Sequence, residues 1–521
     1  MNRHTGPNSL ASISDVLERI RNKGVRLWSE NGRLRYKAPE GALTTDDLER
    51  LRGAKDQLIA LLEQSQNDER VTERSNPLYP PFSAPLTFTQ LAHWRLFHLG
   101  QRTSSRQIAI ALRLRGRLNV DALKSSLFET IRRHDALRTR IATYSGVPIQ
   151  SVSDTIEWTL EVESLKQLQE SDREAEIQRR IESFISEPID LALGALFGTK
   201  LLQLGGDEHV LIVVIDHLIS DAHSMGILIR ELMAAYVQIV KGLSCSLPKI
   251  AVQFADFAAR QGALHKSWID THAKSFNARL AGCSRVRFPE ARDFEPQFTS
   301  GWETVPVRIG KDLKDEMRNW CRLRKTTLVM SVLSVYAALV LRWCGVSECV
   351  IQCQTDGRFS RETENTIGYF ASVLYLRVTL LEEDSFLDIL NRVTSEYCTA
   401  HAQADYSYTA TQVPPREFTH NPSFNWVPEA SPIELSELRG SPDELEVLPI
   451  SFPNPGLKDL EWDNEPGLLL FDRANEIVGG MRFPLNRNSR LSMQRFCGNL
   501  LGFIRSMIRR PERRVHDIML V

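Results

Sequence analysis

The stretch VVIDHLISDAHSMGIL, residues 213–228, places a histidine, two aspartates and a second histidine directly behind an apolar run. Val210–Ile215 is β-branched and too short for a helix, which predicts a buried strand, while 225–240 carries a helical pattern. Residues 216–224 are then the strand-to-helix connection, where a rigid scaffold holds side chains still enough for chemistry. His217 lies next to the end of the apolar run. An imidazole there takes a proton from a nucleophile or orients it, because its ordinary pKa lies near physiological pH. Asp221, four residues on, bonds across the loop or pairs with a distant arginine. From the residues alone, a turn whose polar groups serve only the fold is the competing reading.

The same order of elements recurs on both sides of this loop. QIAIALRLRG followed by VDALKSSLFETIRRHDALRTRI reads as strand then helix, TTLVMSVLSVYAALVLRW as a strongly apolar helix, and ECVIQCQT as the strand after it. The fold class expected is α/β (α+β). A length of 521 residues exceeds what one core serves, and the division is expected near 262–300, giving lobes at 86–262 and 263–521.

Residues 1–64 read as a small α-β-β-α unit. Ile13, Val16, Leu17 and Ile20 recur at helical spacing up to Gly24, and VRLWSENGRLRYKAP is a hairpin turning at Asn31-Gly32, with Val25 and Leu27 facing Leu34 and Tyr36. A second helix starts at the capping residues of LTTDDLERLRGAKDQLIALLEQ and carries Leu48, Leu51, Leu58, Leu61 and Leu62 on one stripe. The hairpin holds Arg26, Arg33, Arg35 and Lys37 against Glu30 alone. It is either a solvated basic face or a cradle for an acidic peptide added along its edge. Residues 65–85, polar and then proline-rich, read as a linker.

Composition narrows the function. Sixty-four Lys and Arg against 65 Asp and Glu leave a net charge of -1, with no basic groove to suggest nucleic acid. The longest apolar run is too short to cross a bilayer and the amino terminus lacks a secretory core, so a cytoplasmic protein is expected. The eight cysteines, from Cys245 onward, show no C-x-x-C spacing, and Cys344, Cys349 and Cys353 read as buried thiols; no metal is expected. No G-x-S-x-G elbow of a thioesterase is present.

DHLISDA resembles the HHxxxDG signature of nonribosomal peptide synthetase condensation domains, with His217 at the second histidine and Asp221 at the aspartate. Other motifs of that family follow in order: LTFTQLAHW (86–94), RHDALRTR (133–140), FADFAARQ (254–261), DGR (356–358), IGYFASVLYLRV (367–378) and HNPSFNW (420–426). The resemblance implies two chloramphenicol-acetyltransferase-like lobes in a V-shaped pseudo-dimer, with the histidine loop at their interface. It implies that His217 assists attack on a donor thioester as base or by positioning, that Asp221 is structural and pairs with Arg358, and that Ser224 and Arg138 support the site. Asp216 stands where the family has its first histidine and Ala222 where it has glycine. Asp216, Asp221 and Ser224 also satisfy the DxxxxDxxS signature of heterocyclization domains, although those lack the histidine kept here as His217. A damaged signature also fits a non-catalytic recruitment platform.

GVRLWSENGRLRYKAPEGALT resembles the β-hairpin docking domain of assembly-line proteins, which makes Arg26, Arg33, Arg35 and Lys37 contacts for the carboxy-terminal short linear motif of an upstream carrier protein. With no adenylation or carrier segment before Val521, a free-standing monomer is expected. Its layout resembles the chain-releasing, ester-forming condensation enzymes of enacyloxin-type polyketide assembly lines. The chain would bind no cofactor of its own. The phosphopantetheine thioester arrives on the carrier, and the acceptor is a small molecule or sits on a second carrier.

Overall fold

The strand Glu208–Asp216 is bonded along both edges, antiparallel to Gln107–Arg115 on one side and to Phe197–Gly205 on the other. Leu211, Val213 and Ile215 enter a core shared with helices Val120–Arg133 and Ala222–Val240. Val210, Ile212 and Val214 enter a second core, under helix Glu170–Ser186. Burial on both faces is why this run is apolar without alternation. The computed structural model describes residues 26–30, 33–37, 44, 47, 51, 55, 80, 82–98, 107–187, 196–263, 274–283, 286–289, 301–358, 360–402, 421–427, 445–450 and 465–520.

The strand belongs to a five-stranded sheet ordered Glu446–Pro449, Gln107–Arg115, Glu208–Asp216, Phe197–Gly205, Glu161–Ser164. A six-stranded sheet carries the second half of the chain, in the order Trp302–Ile309, Ile477–Pro484, Gly467–Asp472, Ser423–Val427, Glu348–Thr355, Ser372–Thr379. Against it pack helices Leu328–Cys344, Phe386–Ala402 and Arg490–Arg509 in one large core. Leu328–Cys344 is buried on every side from Met330 to Leu341, which accounts for its uniform apolarity. No single helix among the described residues is long and apolar enough to cross a membrane. Cys349 and Cys353 are buried in the same core, where burial pushes the Cys353 thiol up to about 12.

Two boundaries differ from the sequence reading. Ser83–Pro85, expected as the end of the linker, is a strand paired with Val147–Val152 in a three-stranded sheet with Thr139–Tyr144. Glu446–Pro449, from the expected second lobe, pairs with Gln107–Arg115 and sends Leu445 and Val447 into the core of the first. Ile367, Tyr369 and Phe370 enter that core as well. The chain thus returns twice to the first unit, and a single cut at 262 does not separate the cores.

In the amino-terminal segment the hairpin strands are Arg26–Glu30 and Arg33–Lys37, paired in the register Arg26↔Lys37, Leu27↔Tyr36, Trp28↔Arg35, Ser29↔Leu34 and Glu30↔Arg33. Leu27 stands opposite Tyr36 as expected, whereas Leu34 faces Ser29. Because the strand period is two, Arg26, Arg33, Arg35 and Lys37 occupy positions of one face. Arg35 and Tyr36 are exposed. The helix expected at Ile13–Ile20, Gly24 and Val25 lie outside the described residues. Thr44 and Asp47 bond reciprocally, each side chain accepting from the other's backbone N–H, as a helix start requires.

Leu445→Ala is expected to cost about 2–5 kcal/mol in urea denaturation of the whole chain, the range for a buried leucine. A cost near zero contradicts the claim that the returning strand completes the first core.

Candidate active site

The sheet delivers Asp216 as its last buried residue, and the chain then turns sharply. The Ile219 N–H donates to the Asp216 carbonyl at 3.1 Å, closing a β-turn with His217 at its second position. The Asp216 carboxylate accepts the Leu218 N–H at 2.8 Å and braces the turn from inside. From helix Phe88–His98, Gln90 donates through Nε2 to the Leu218 carbonyl at 2.7 Å. Gln90 is fully buried and capped by Thr87, so the LTFTQLAHW segment is a bracket for this loop.

His217 Nδ1 lies 2.8 Å from the Ser220 carbonyl oxygen. A carbonyl only accepts, so the neutral ring carries its proton on Nδ1 and leaves the Nε2 lone pair available. Burial pushes the His217 imidazole below its ordinary value of 6.5, and the opposing pull of Asp221 does not restore it. The ring is therefore a neutral base at pH 7.

Asp221 is the N-cap of helix Ala222–Val240: its Oδ1 accepts the Ser224 N–H at 2.8 Å. Its Oδ2 accepts from the Arg358 guanidinium at 2.8 Å and from the N–H groups of Phe370 at 3.0 Å and Ala371 at 3.2 Å. Burial works against this charge, but Arg358 beside it and the bonds from Arg358 and Ser224 hold the carboxyl below its usual 3.8. Arg358 also donates to Ser224 Oγ at 2.7 Å and to the Thr366 carbonyl at 3.0 Å, with its guanidinium 4.6 Å above the Phe370 ring. Ser224 Oγ in turn bonds both backbone groups of Gly368. Two glycines make this closeness feasible. Gly357 turns with a φ of +65° where a Cβ would meet the Phe370 carbonyl at 1.8 Å, and a Cβ on Gly368 would lie 2.2 Å from the Phe254 ring.

The structure thus gathers His217, Asp216, Asp221, Ser224 and Arg358 at one place. Arg138 is held by hydrogen bonds of its own. Its guanidinium bonds Asp135 at 2.7 Å and the Ser153 carbonyl, tying a one-turn helix, Asp135–Arg138, to the end of strand Val147–Val152. These bonds secure a neighbouring turn, and none of them reaches the histidine loop. His223, the second histidine of the opening stretch, is exposed and lies beside the Glu364 carbonyl at 3.2 Å. Two residues at the site are not singled out by the sequence reading. Tyr369 packs its ring 4.4 Å from that of His217, and its hydroxyl lies 2.8 Å from His93 Nε2. Both stand inside motifs quoted above, but only the fold brings them together.

A model of the condensation domain matches residues 83–431, which contain every residue of this loop and its braces. The chain belongs to the condensation-domain family. Condensation domains are enzymes that form amide or ester bonds. A model of the TubC N-terminal docking domain matches residues 13–64, and docking domains recruit partner proteins. One component of the linear gramicidin synthase of Brevibacillus parabrevis is 31% identical over 389 residues, 70% of this chain and 8% of that one. Malpibaldin synthetase of Mortierella alpina is 28% identical over 456 residues, 85% of this chain and 8% of that one. The chain therefore spans less than a tenth of these relatives. Two solved structures share the fold. The cyclization-docking bidomain of the EpoB synthetase from Sorangium cellulosum has a TM-score of 0.70 at 17% identity, covering 97% of this chain and 99% of that one. The X-domain from teicoplanin biosynthesis, in complex with OxyB, has a TM-score of 0.68 at 22% identity, covering 85% of this chain and 97% of that one.

Replacing Arg358 with leucine leaves the Asp221 charge buried and unpaired, so an expected loss of about 3–5 kcal/mol is read by urea denaturation at pH 7. The folded carboxylate titrates below the unfolded one, so the tie is complete above about pH 3.8 and fades as the pH falls through the folded value. Arg358→Leu combined with Asp221→Leu is expected to cost less than the two single changes added together. Additive losses contradict a direct pairing.

Proposed function

We propose that this chain moves an acyl group from the phosphopantetheine thioester of a partner carrier protein to the hydroxyl or amine of an acceptor. The hydroxyl, giving an ester, is the preferred nucleophile. The observation that carries the reading is the hydrogen bond from His217 Nδ1 to Ser220, which leaves Nε2 basic on a neutral ring. In the transfer, Nε2 takes the proton from the acceptor O–H or N–H as its heteroatom bonds to the acyl carbon. The tetrahedral intermediate then expels the sulfur, the C–S bond breaks, and the imidazolium returns the same proton to the thiolate. Nothing is left bound to the enzyme, and rate comes from proximity and proton handling. An alcohol needs that base more than an amine does, because it is a poor nucleophile until its proton leaves. The ester preference rests on this difference in nucleophilicity.

The donor carrier is proposed to be held through an acidic carboxy-terminal motif laid along the hairpin, with Arg26, Arg33, Arg35 and Lys37 at positions of one face. No cofactor of the chain's own takes part. Ring closure is disfavoured for a specific reason. The Asp216 carboxylate braces the turn and the Asp221 carboxylate is committed to Ser224, Arg358, Phe370 and Ala371, so the DxxxxDxxS pattern is accounted for by the fold. Recruitment without catalysis, suggested by the complex of the teicoplanin X-domain with OxyB, is the alternative that the test must exclude.

Incubating the chain with octanoyl-pantetheine and a panel of alcohols and amines, and reading products by mass spectrometry, tests the reading. His217→Ala is expected to lower the transfer rate roughly 10²–10⁴-fold, the usual contribution of a general base. With the wild type the rate is expected to stay level from pH 8 to 7 and to fall only below the ordinary histidine value of 6.5, since the neutral ring is the active form. Equal activity in the two proteins removes His217 from the chemistry, and ester and amide products are told apart by mass.

A further inference from the structure

Three rings meet at the base. Tyr369 lies 4.4 Å from His217 with the ring planes tilted by 50°, and His93 lies 5.7 Å from His217, edge-on at 66°. The Tyr369 hydroxyl and His93 Nε2 are 2.8 Å apart. The three residues come from different places: helix Phe88–His98, the loop after strand Glu208–Asp216, and the segment that returns from the second half of the chain. We propose that His93 and Tyr369 are positioning residues that clamp the His217 ring, keeping its Nδ1–H on Ser220 and its Nε2 toward the acceptor. The consequence for rate rests on the transfer reading above; the clamp itself does not.

The torsion between Cβ and an imidazole is broad and roughly two-fold, so a flipped ring is a ready alternative. One hydrogen bond to a backbone carbonyl holds it weakly. A phenol ring packed at 4.4 Å blocks the sweep of the imidazole, provided that the phenol is itself fixed. It is fixed at both ends. Its backbone neighbours Gly368 and Phe370 are bonded to Ser224 and Asp221, and its hydroxyl is anchored on His93. His93 sits three residues beyond Gln90 on the same helix, and Gln90 holds the Leu218 carbonyl of the loop. The elements that shape the turn therefore also shape its clamp. The Tyr369 ring also keeps water from that side of the base, in line with an imidazole that titrates below the ordinary value. No proton is gained or lost by either clamp residue in the transfer.

The test is a tautomer and titration measurement on the full chain labelled with ¹⁵N-histidine, read from two-bond ring correlations and run beside the octanoyl-pantetheine assay. In the wild type His217 is expected as one neutral tautomer, protonated at Nδ1 and titrating below 6.5. In Tyr369→Ala a mixture of tautomers and a titration shifted up toward 6.5 are expected, with kcat lower by roughly tenfold to hundredfold at unchanged KM, as for a misplaced reacting group. His93→Leu is expected to reproduce part of this, and His93→Gln, which keeps a polar partner for the phenol, to restore it. Tyr369→Phe keeps the ring and removes only its anchor, so it reports even where Tyr369→Ala fails to fold. Unchanged His217 tautomer and titration in His93→Leu and Tyr369→Phe overturn the clamp. A wild type that leaves every thioester intact while these spectral changes occur sinks the transfer reading and supports the clamp.

Discussion

A single buried carboxylate organises this site. Asp221 caps the helix that follows the histidine loop, pairs with Arg358, and accepts the N–H groups of Phe370 and Ala371 from a segment some 150 residues away. One oxygen serves the first half of the chain and the other serves the second. Burying a charge is costly unless it is paired and fully hydrogen-bonded, and here each of its partners is itself held by the fold. The DGR turn, the glycine at 368 and the serine at 224 are therefore best understood as the surroundings this charge requires.

The chemistry follows from what the brace leaves over. With Asp216 and Asp221 spent on backbone and arginine, His217 keeps a basic nitrogen within the braced turn. Its neutrality has the same origin as its position, since burial lowers its affinity for a proton while the loop fixes which nitrogen holds one. A base of this kind fits the proposed direct transfer between two reactants held together, where proximity contributes to the rate. Asp216, in the place of the family's first histidine, completes the turn with a carboxylate, which is why the departure from the signature does not dismantle the loop.

Much of this is legible in the sequence, for identifiable reasons. Val210–Ile215 announces its strand because burial on both faces removes alternation, and Leu328–Cys344 its helix because it is surrounded on all sides. The pairing of Asp221 with Arg358 spans 137 residues, so no periodicity carries it, and it follows only from the resemblance. Ser83–Pro85 reads as linker because Pro80, Pro81 and its own Pro85 speak against a strand, yet it lies at an edge where a missing N–H is tolerated. Glu446–Pro449 is too short, and too far from its partner strand, to signal which sheet it joins. The resemblance implies a supporting place for Arg138, and the sequence does not show that its guanidinium bonds Asp135 and Ser153. His93 and Tyr369 escape the sequence reading because a contact across 276 residues leaves no trace in either neighbourhood.

The most direct measurement of the brace is amide hydrogen exchange resolved to single residues in the wild type and in Asp221→Asn. The expected result is loss of protection at Phe370 and Ala371 together with 218–224, while Leu211 and Ile212 in the central strand exchange as before. Protection unchanged at Phe370 and Ala371 would mean that the carboxylate does not hold the returning segment, and the account of how the two halves build this site would be wrong.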